Sequence, residues 1–189
     1  MGILGSALSQ SAQSEEALKV VEANLALTRR YWPNDEEGIL ILQVNAANCY
    51  SMCGREDEAL QLRRNTHAKD RALYGAKHEN AIQSGNCLAE SLHTLRRYAE
   101  AKELLRKMLR LSQPLGPDHD QRLRAREQLS RVILEDPDAS RADAREAVTI
   151  LEDTIQRRRR VFGRRHPQTL QCEKALADAH DLLARLGET

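Results

Sequence analysis

The sequence predicts an all-α protein, a right-handed superhelical stack of antiparallel helix hairpins, and three observations carry that prediction. The dipeptide Glu-Ala recurs at Glu16-Ala17, Glu58-Ala59, Glu100-Ala101 and Glu146-Ala147, so the alanines stand 42, 42 and 46 residues apart. A second marker runs in phase with the first: Gly75, Gly116 and Gly163 each precede a histidine by three residues, namely His78, His119 and His166. Aromatic residues make up only 3% of a chain that is 41% hydrophobic. A core must therefore come from Leu, Ala, Ile and Val, which let helices approach closely.

The glycine of the second marker follows Leu- or Arg-rich helix ends and reads as a C-cap that closes one hairpin before the next begins. The first helix is expected over 12 to 32, with Leu18, Val21, Leu25 and Leu27, behind a flexible leader at 1 to 13. The second, over 36 to 53, holds the longest apolar run, Ile39 to Leu42, and ends at the tight break Cys53-Gly54-Arg55. Helices over 56 to 74 and 79 to 95 follow, the latter with Leu88, Leu92 and Leu95 at three- and four-residue steps before the break Leu95-Arg96-Arg97. The fifth, over 98 to 113, carries Leu104, Leu105, Met108, Leu109 and Leu111, and the sixth spans 119 to 134. The next break swells to Glu135-Asp136-Pro137-Asp138-Ala139-Ser140, where Pro137 stops a helix and Asp138 or Ser140 can cap the following one; this explains the spacing of 46. Helices over 140 to 162 and 167 to 186 complete the series. The organisation expected is a half unit at 14–34, full units at 35–76, 77–117 and 118–164, and a closing helix at 165–187, whose Asp178, Asp181, Arg185 and Glu188 solvate its outer face.

The run Gly163-Arg-Arg-His166-Pro167-Gln168-Thr169-Leu170, followed by Leu176-Ala177, closely resembles the 42-residue tetratricopeptide repeats of kinesin light chains. Leu88-Ala89 and the turn Gly54-Arg-Glu-Asp-Glu58-Ala59 fit the same pattern, and the resemblance covers about residues 14 to 187. The sequence departs from it where Glu36 replaces the junction histidine, where Glu79 and Asp120 replace its proline, and where Arg96 replaces the turn glycine. The resemblance implies a tetratricopeptide-like solenoid whose first helices line a concave groove. Aligned on the Leu-Ala phase, the groove positions are Val44, Asn48 and Ser51; Asn86, Glu90 and His93; Glu127, Arg131 and Leu134; and Lys174, Asp178 and Asp181. Their mixed polarity suits a peptide bearing both charge signs, because Asn amides hold backbone groups and charges set register. Glu90 and Glu127 oppose a C-terminal carboxylate as ligand.

The expected function is a non-catalytic scaffold or adaptor that binds another protein or a peptide segment in this groove. The alternative is a structural subunit of a large assembly, one that can contain RNA. It would dock through the first helix, which lacks a preceding partner helix, and through Arg157, Arg158, Arg159 and Arg160, continued by Arg164 and Arg165. Self-association through the first helix belongs to the same reading. With 29 basic against 28 acidic residues there is no global field to draw the chain onto nucleic acid, which is expected only within an assembly.

No nucleophile with its base, no phosphate loop and no paired acids in a pocket motif appear, so no enzyme activity and no cofactor are expected. The recurring histidines are read as junction packing, since a stack keeps them one repeat apart. Cys49 and Cys53 share a helix face near the aligned position of Cys87 but find no fourth ligand, so no metal is expected. Four cysteines without a C-x-x-C pair point to a reducing intracellular, cytoplasmic setting, and no apolar run is long enough for a membrane helix. The start Met1-Gly2-Ile3-Leu4-Gly5-Ser6 matches the loose acylation pattern but has no nearby basic segment to support it.

Overall fold

The structure is a computed structural model that describes the backbone from residue 2 to 187 and the side chains from residue 13. Eight α-helices account for the described residues, with no strand among them: α1 (Gly2–Tyr31), α2 (Glu36–Met52), α3 (Glu56–Tyr74), α4 (Glu79–Thr94), α5 (Tyr98–Leu111), α6 (Asp120–Glu135), α7 (Arg141–Phe162) and α8 (Pro167–Arg185). The expected fifth helix stops two residues early and gives way to a single 3-10 turn, Gln113–Leu115, around Pro114. α1 begins at Gly2 and so takes in most of the segment read as a leader. The side chains of the acylation-like start and Glu188 of the closing cap lie outside the described residues.

The chain divides into two compact units, residues 1–75 and 76–189. In the first, α1 packs on α2 and α2 on α3. Leu18 and Leu25 of α1, Leu40, Ala46 and Ala47 of α2, and Ala59 and Leu60 of α3 are all buried. In the second unit each helix packs on the next, and α6 also packs directly on α4 and α8. The first helices of successive hairpins thus form one layer, and α5 and α7 belong to the other. Ile82, Leu92, Leu105, Met108, Leu123, Leu129, Ile133, Leu151 and Ile155 fill the space between layers, and Ala81, Ala89, Ala101, Ala125, Ala144 and Ala147 bring the backbones close.

The two sequence markers have separate physical causes. Ala59, Ala101 and Ala147 are 0% exposed, so these three Glu-Ala pairs mark points of close helix contact, whereas Ala17 on α1 is exposed. At the other marker, Gly75, Gly116 and Gly163 adopt φ of 88°, 94° and 89° with ψ near the extended range, a conformation essentially restricted to glycine. Three residues on, the histidine caps the next helix: Nδ1 of His78, His119 and His166 accepts from the backbone N–H of Asn80, Gln121 and Gln168 at 3.2, 3.3 and 3.4 Å. The histidines are therefore helix caps, a more specific role than junction packing. The stretched break is built as expected: Ser140 and Asp143 form a reciprocal capping box at the start of α7, and Ala139 is buried beneath it.

The tight breaks within hairpins are Schellman motifs. Arg55 N–H donates to Tyr50 O and Gly54 N–H to Ser51 O, and the same pair recurs as Arg97 to Leu92 and Arg96 to His93. The pivot residue is left-handed in both, with φ 73° at Gly54 and 56° at Arg96. Only glycine adopts this conformation without steric cost, so Arg96→Gly is expected to raise stability by about 1 kcal/mol despite the freedom it adds to the unfolded chain. Urea midpoints of the variant and the parent check this; an equal or lower midpoint contradicts it.

Candidate functional site

A groove of about 1410 Å³ opens in the second unit along the layer formed by α4, α6 and α8. Glu90 contributes from α4, Arg124, Glu127, Gln128, Arg131 and Leu134 from α6, and Gln171, Lys174, Asp178, Asp181 and Arg185 from α8. Seven of the positions expected from the Leu-Ala phase therefore share one cleft: Glu90, Glu127, Arg131, Leu134, Lys174, Asp178 and Asp181.

The α4 side of this cleft is already engaged. Asn86 is 0% exposed; its amide donates to Gln121 O at 2.9 Å and Gln121 Oε1 at 3.3 Å. Asn86 is thus corrected from a peptide contact to a clamp that holds the start of α6 against α4. One turn on, Glu90 accepts from Gln128 at 2.6 Å and from Arg131 at 2.8 Å. Another turn on, His93 Nε2 lies 2.9 Å from Glu135, with the ring 6.0 Å from that of Tyr98. These contacts join residues about one repeat apart and form a ladder between α4 and α6. Free polar groups therefore concentrate over α6 and α8, where Arg124, Lys174 and Asp178 make no ion pair among the described residues. The positions Val44, Asn48 and Ser51 lie in the first unit. There Asn48 accepts from Arg63 at 3.3 Å, Ser51 donates to Glu56 at 2.6 Å, and Val44 is half-buried.

The arginine run is likewise corrected, because it is not one basic patch. Arg158 is 1% exposed and reaches Glu127 on α6 and Gln168 on α8, the latter at 2.7 Å, with Phe162 5.6 Å below its guanidinium. Arg157 pairs with Asp153 at 2.8 Å and Asp118 at 2.9 Å, and Arg159 with Glu173 at 2.7 Å. Only Arg160, Arg164 and Arg165 stay exposed without an ion pair among the described residues. Four consecutive residues spread around a helix, so each meets a different neighbour. Arg158, on the second helix of its hairpin, becomes a strut beneath the groove that ties α6 to α8.

Sequence reading missed Arg124, Gln128 and Gln171. Gln128 Oε1 is buried without a hydrogen-bond partner, a carbonyl left over after the amide has gone to Glu90. Cys172 lies in the floor, where burial first and the Glu127 charge second push its thiol up to about 12, so it stays protonated and unreactive. No cluster of three or more His, Cys, Asp or Glu side chains with metal-binding geometry occurs among the described residues, and none of their helices is long and apolar enough to cross a membrane.

Residues 81–153 match a family model described as tetratricopeptide repeat, and residues 139–168 match a second model of the same description. The stretch from 81 to 168 is tetratricopeptide repeat. The solved structures agree on the fold. A Podosopora anserina protein described by its kinesin light chain nearly identical TPR-like repeats superposes with a TM-score of 0.77 at 22% identity, covering 97% of this chain and 86% of that one. A point variant of that protein gives 0.78 at the same identity and coverage. BtubC (BKLC) from P. vanneervenii gives 0.68 at 14% identity, covering 93% and 72%. No curated protein matches the sequence. The fold is thus that of kinesin light chain-like tetratricopeptide repeats, and such repeats support a protein-interaction scaffold in general.

Proposed function

We propose that the protein is a non-catalytic scaffold that holds an extended or helical segment of a partner protein against α6 and α8. The observation that carries this is the groove itself: an open cleft about 1410 Å³ in volume whose α4 wall is internally bonded, while Arg124, Gln171, Lys174 and Asp178 bond to no side chain among the described residues. A rigid wall beside free side chains of both signs is a preorganised surface, which lowers the ordering cost of binding. The acids in the cleft, with Glu90 paired to Arg131 and Asp178 and Asp181 also lining it, oppose a bare carboxylate and favour a segment carrying both charge signs.

A photo-crosslinking residue at Gln171 is expected to link a defined segment of a partner in native extract, whereas one at Glu152, exposed on α7, is not. Arg124→Glu with Lys174→Glu is expected to weaken that capture at least about 10-fold by reversing two charges in the cleft. Partner recovery unchanged by the double reversal would sink the groove assignment.

A further inference from the structure

α1 leaves one face bare. Ala17, Val20, Asn24, Leu27 and Tyr31 step alternately by three and four residues, and all five are exposed, Val20 at 60%, Leu27 at 50% and Tyr31 at 59%. This is the a/d spacing of a helix-pairing seam, and it lies roughly a third of a turn from the Leu18 and Leu25 face that packs inside the unit. The positions that correspond to Ala17 and Asn24 are sealed in the later Glu-Ala helices. Ala59 and Thr66 in α3, Ala101 and Met108 in α5, and Ala147 and Thr154 in α7 are at most 2% exposed. Each of those helices packs against the antiparallel helix that precedes it. The stripe on α1 therefore has the shape and composition of a surface that takes an antiparallel helix.

Charge selects the occupant. Glu15 and Glu16 stand at one end of the stripe and Arg29 and Arg30 at the other, all exposed. A second α1 laid antiparallel brings Glu16 of each chain beside Arg30 of the other, on the solvent side of the seam, and opposes the two helix dipoles favourably. A parallel copy would set acid against acid and base against base. In the antiparallel register Ala17 faces Leu27 of the second copy, and Val20 faces its Asn24, a polar seam position of the kind that restricts register at some cost in affinity. We propose that the chain self-associates as an antiparallel dimer through Ala17, Val20, Asn24, Leu27 and Tyr31 of α1.

Sedimentation equilibrium of the full chain over a concentration series is expected to show reversible dimerisation. Val20→Glu with Leu27→Glu should weaken it roughly 30-fold, from the loss of two apolar side chains per copy. Both positions are exposed in the single chain, so helicity should not change. Glu16→Arg or Arg30→Glu alone should weaken association about 5-fold, and the two together should restore it. Direction is read separately, with the four native cysteines replaced and helicity verified: Ala17→Cys mixed with Leu27→Cys should form a disulfide-linked pair, and neither should do so alone. A monomer throughout the series, association indifferent to the double glutamate variant, or a disulfide from Ala17→Cys alone would each overturn the proposal.

Discussion

Arg158→Ala is expected to cost about 3 kcal/mol of stability, because it strips a buried cation from the carboxylate it holds. The guanidinium is bonded to Glu127 on α6 and Gln168 on α8 and lies over the Phe162 ring. Truncation leaves Glu127 without that partner and opens a void at a position 1% exposed. Glu127 keeps 28% of its side chain in contact with solvent, which sets the figure at the lower end for a broken buried pair. Adding Glu127→Gln should recover part of the loss, since the stranded charge goes with it. Arg158→Lys should rescue little, because a single ammonium cannot reach both partners in the fork geometry. Urea denaturation of the four proteins checks the cycle. A single variant within about 0.5 kcal/mol of the parent, the range of an ordinary surface change, would show that the strut carries no weight.

Asp143→Ala is expected to cost a similar amount, about 3 kcal/mol, by opening three contacts together. Its carboxylate completes the Ser140 capping box, binds Lys102 at 3.0 Å and binds Arg106 at 2.6 Å. Lys102 is also held by Asp136 at 2.8 Å, so this network joins α5 to the stretched break and the start of α7. Burial by itself would raise the Asp143 pKa. Hydrogen bonds from Lys102, the Ser140 backbone and Arg106 outweigh burial and hold the carboxyl well below the usual carboxylate range. A carboxyl whose folded pKa is depressed adds stability that is present above its unfolded value, near 4, and is lost as pH falls toward the folded one. The parent should therefore weaken steeply below about pH 4, while Asp143→Asn, already weaker at pH 7, should lose less over that interval. A constant gap between the two proteins from pH 7 down to pH 3 would contradict this.

Periodicity made the hairpins legible because its causes are local. A glycine-only backbone conformation at Gly75, Gly116 and Gly163 and a buried contact at Ala59, Ala101 and Ala147 are each needed once per hairpin, so the residues recur in one phase. The break at 135 to 140 was readable for the same reason, through Pro137 and a serine cap. The groove was legible in part. Helical phase marks which face a residue occupies, and it brought Glu90, Glu127, Arg131, Lys174 and Asp178 into one cleft. Phase does not say which residue on that face meets a neighbour from another repeat. Asn86 therefore read as a ligand contact although Gln121 buries it, and Arg158 read as surface although Glu127 and Gln168 enclose it. No spacing rule distinguishes Arg158 from Arg160, two residues away.

Capping, glycine backbone freedom and helical periodicity act within a few residues, so the breaks and the repeat were legible along the chain, whereas the start of α1 at Gly2 was not. The tertiary structure alone decided which polar side chains are spent holding one repeat to the next and which remain free for a partner. Those assignments depend on residues from 10 to 42 positions apart meeting between packed helices, and their desolvation follows from packing, not from the identity of either residue.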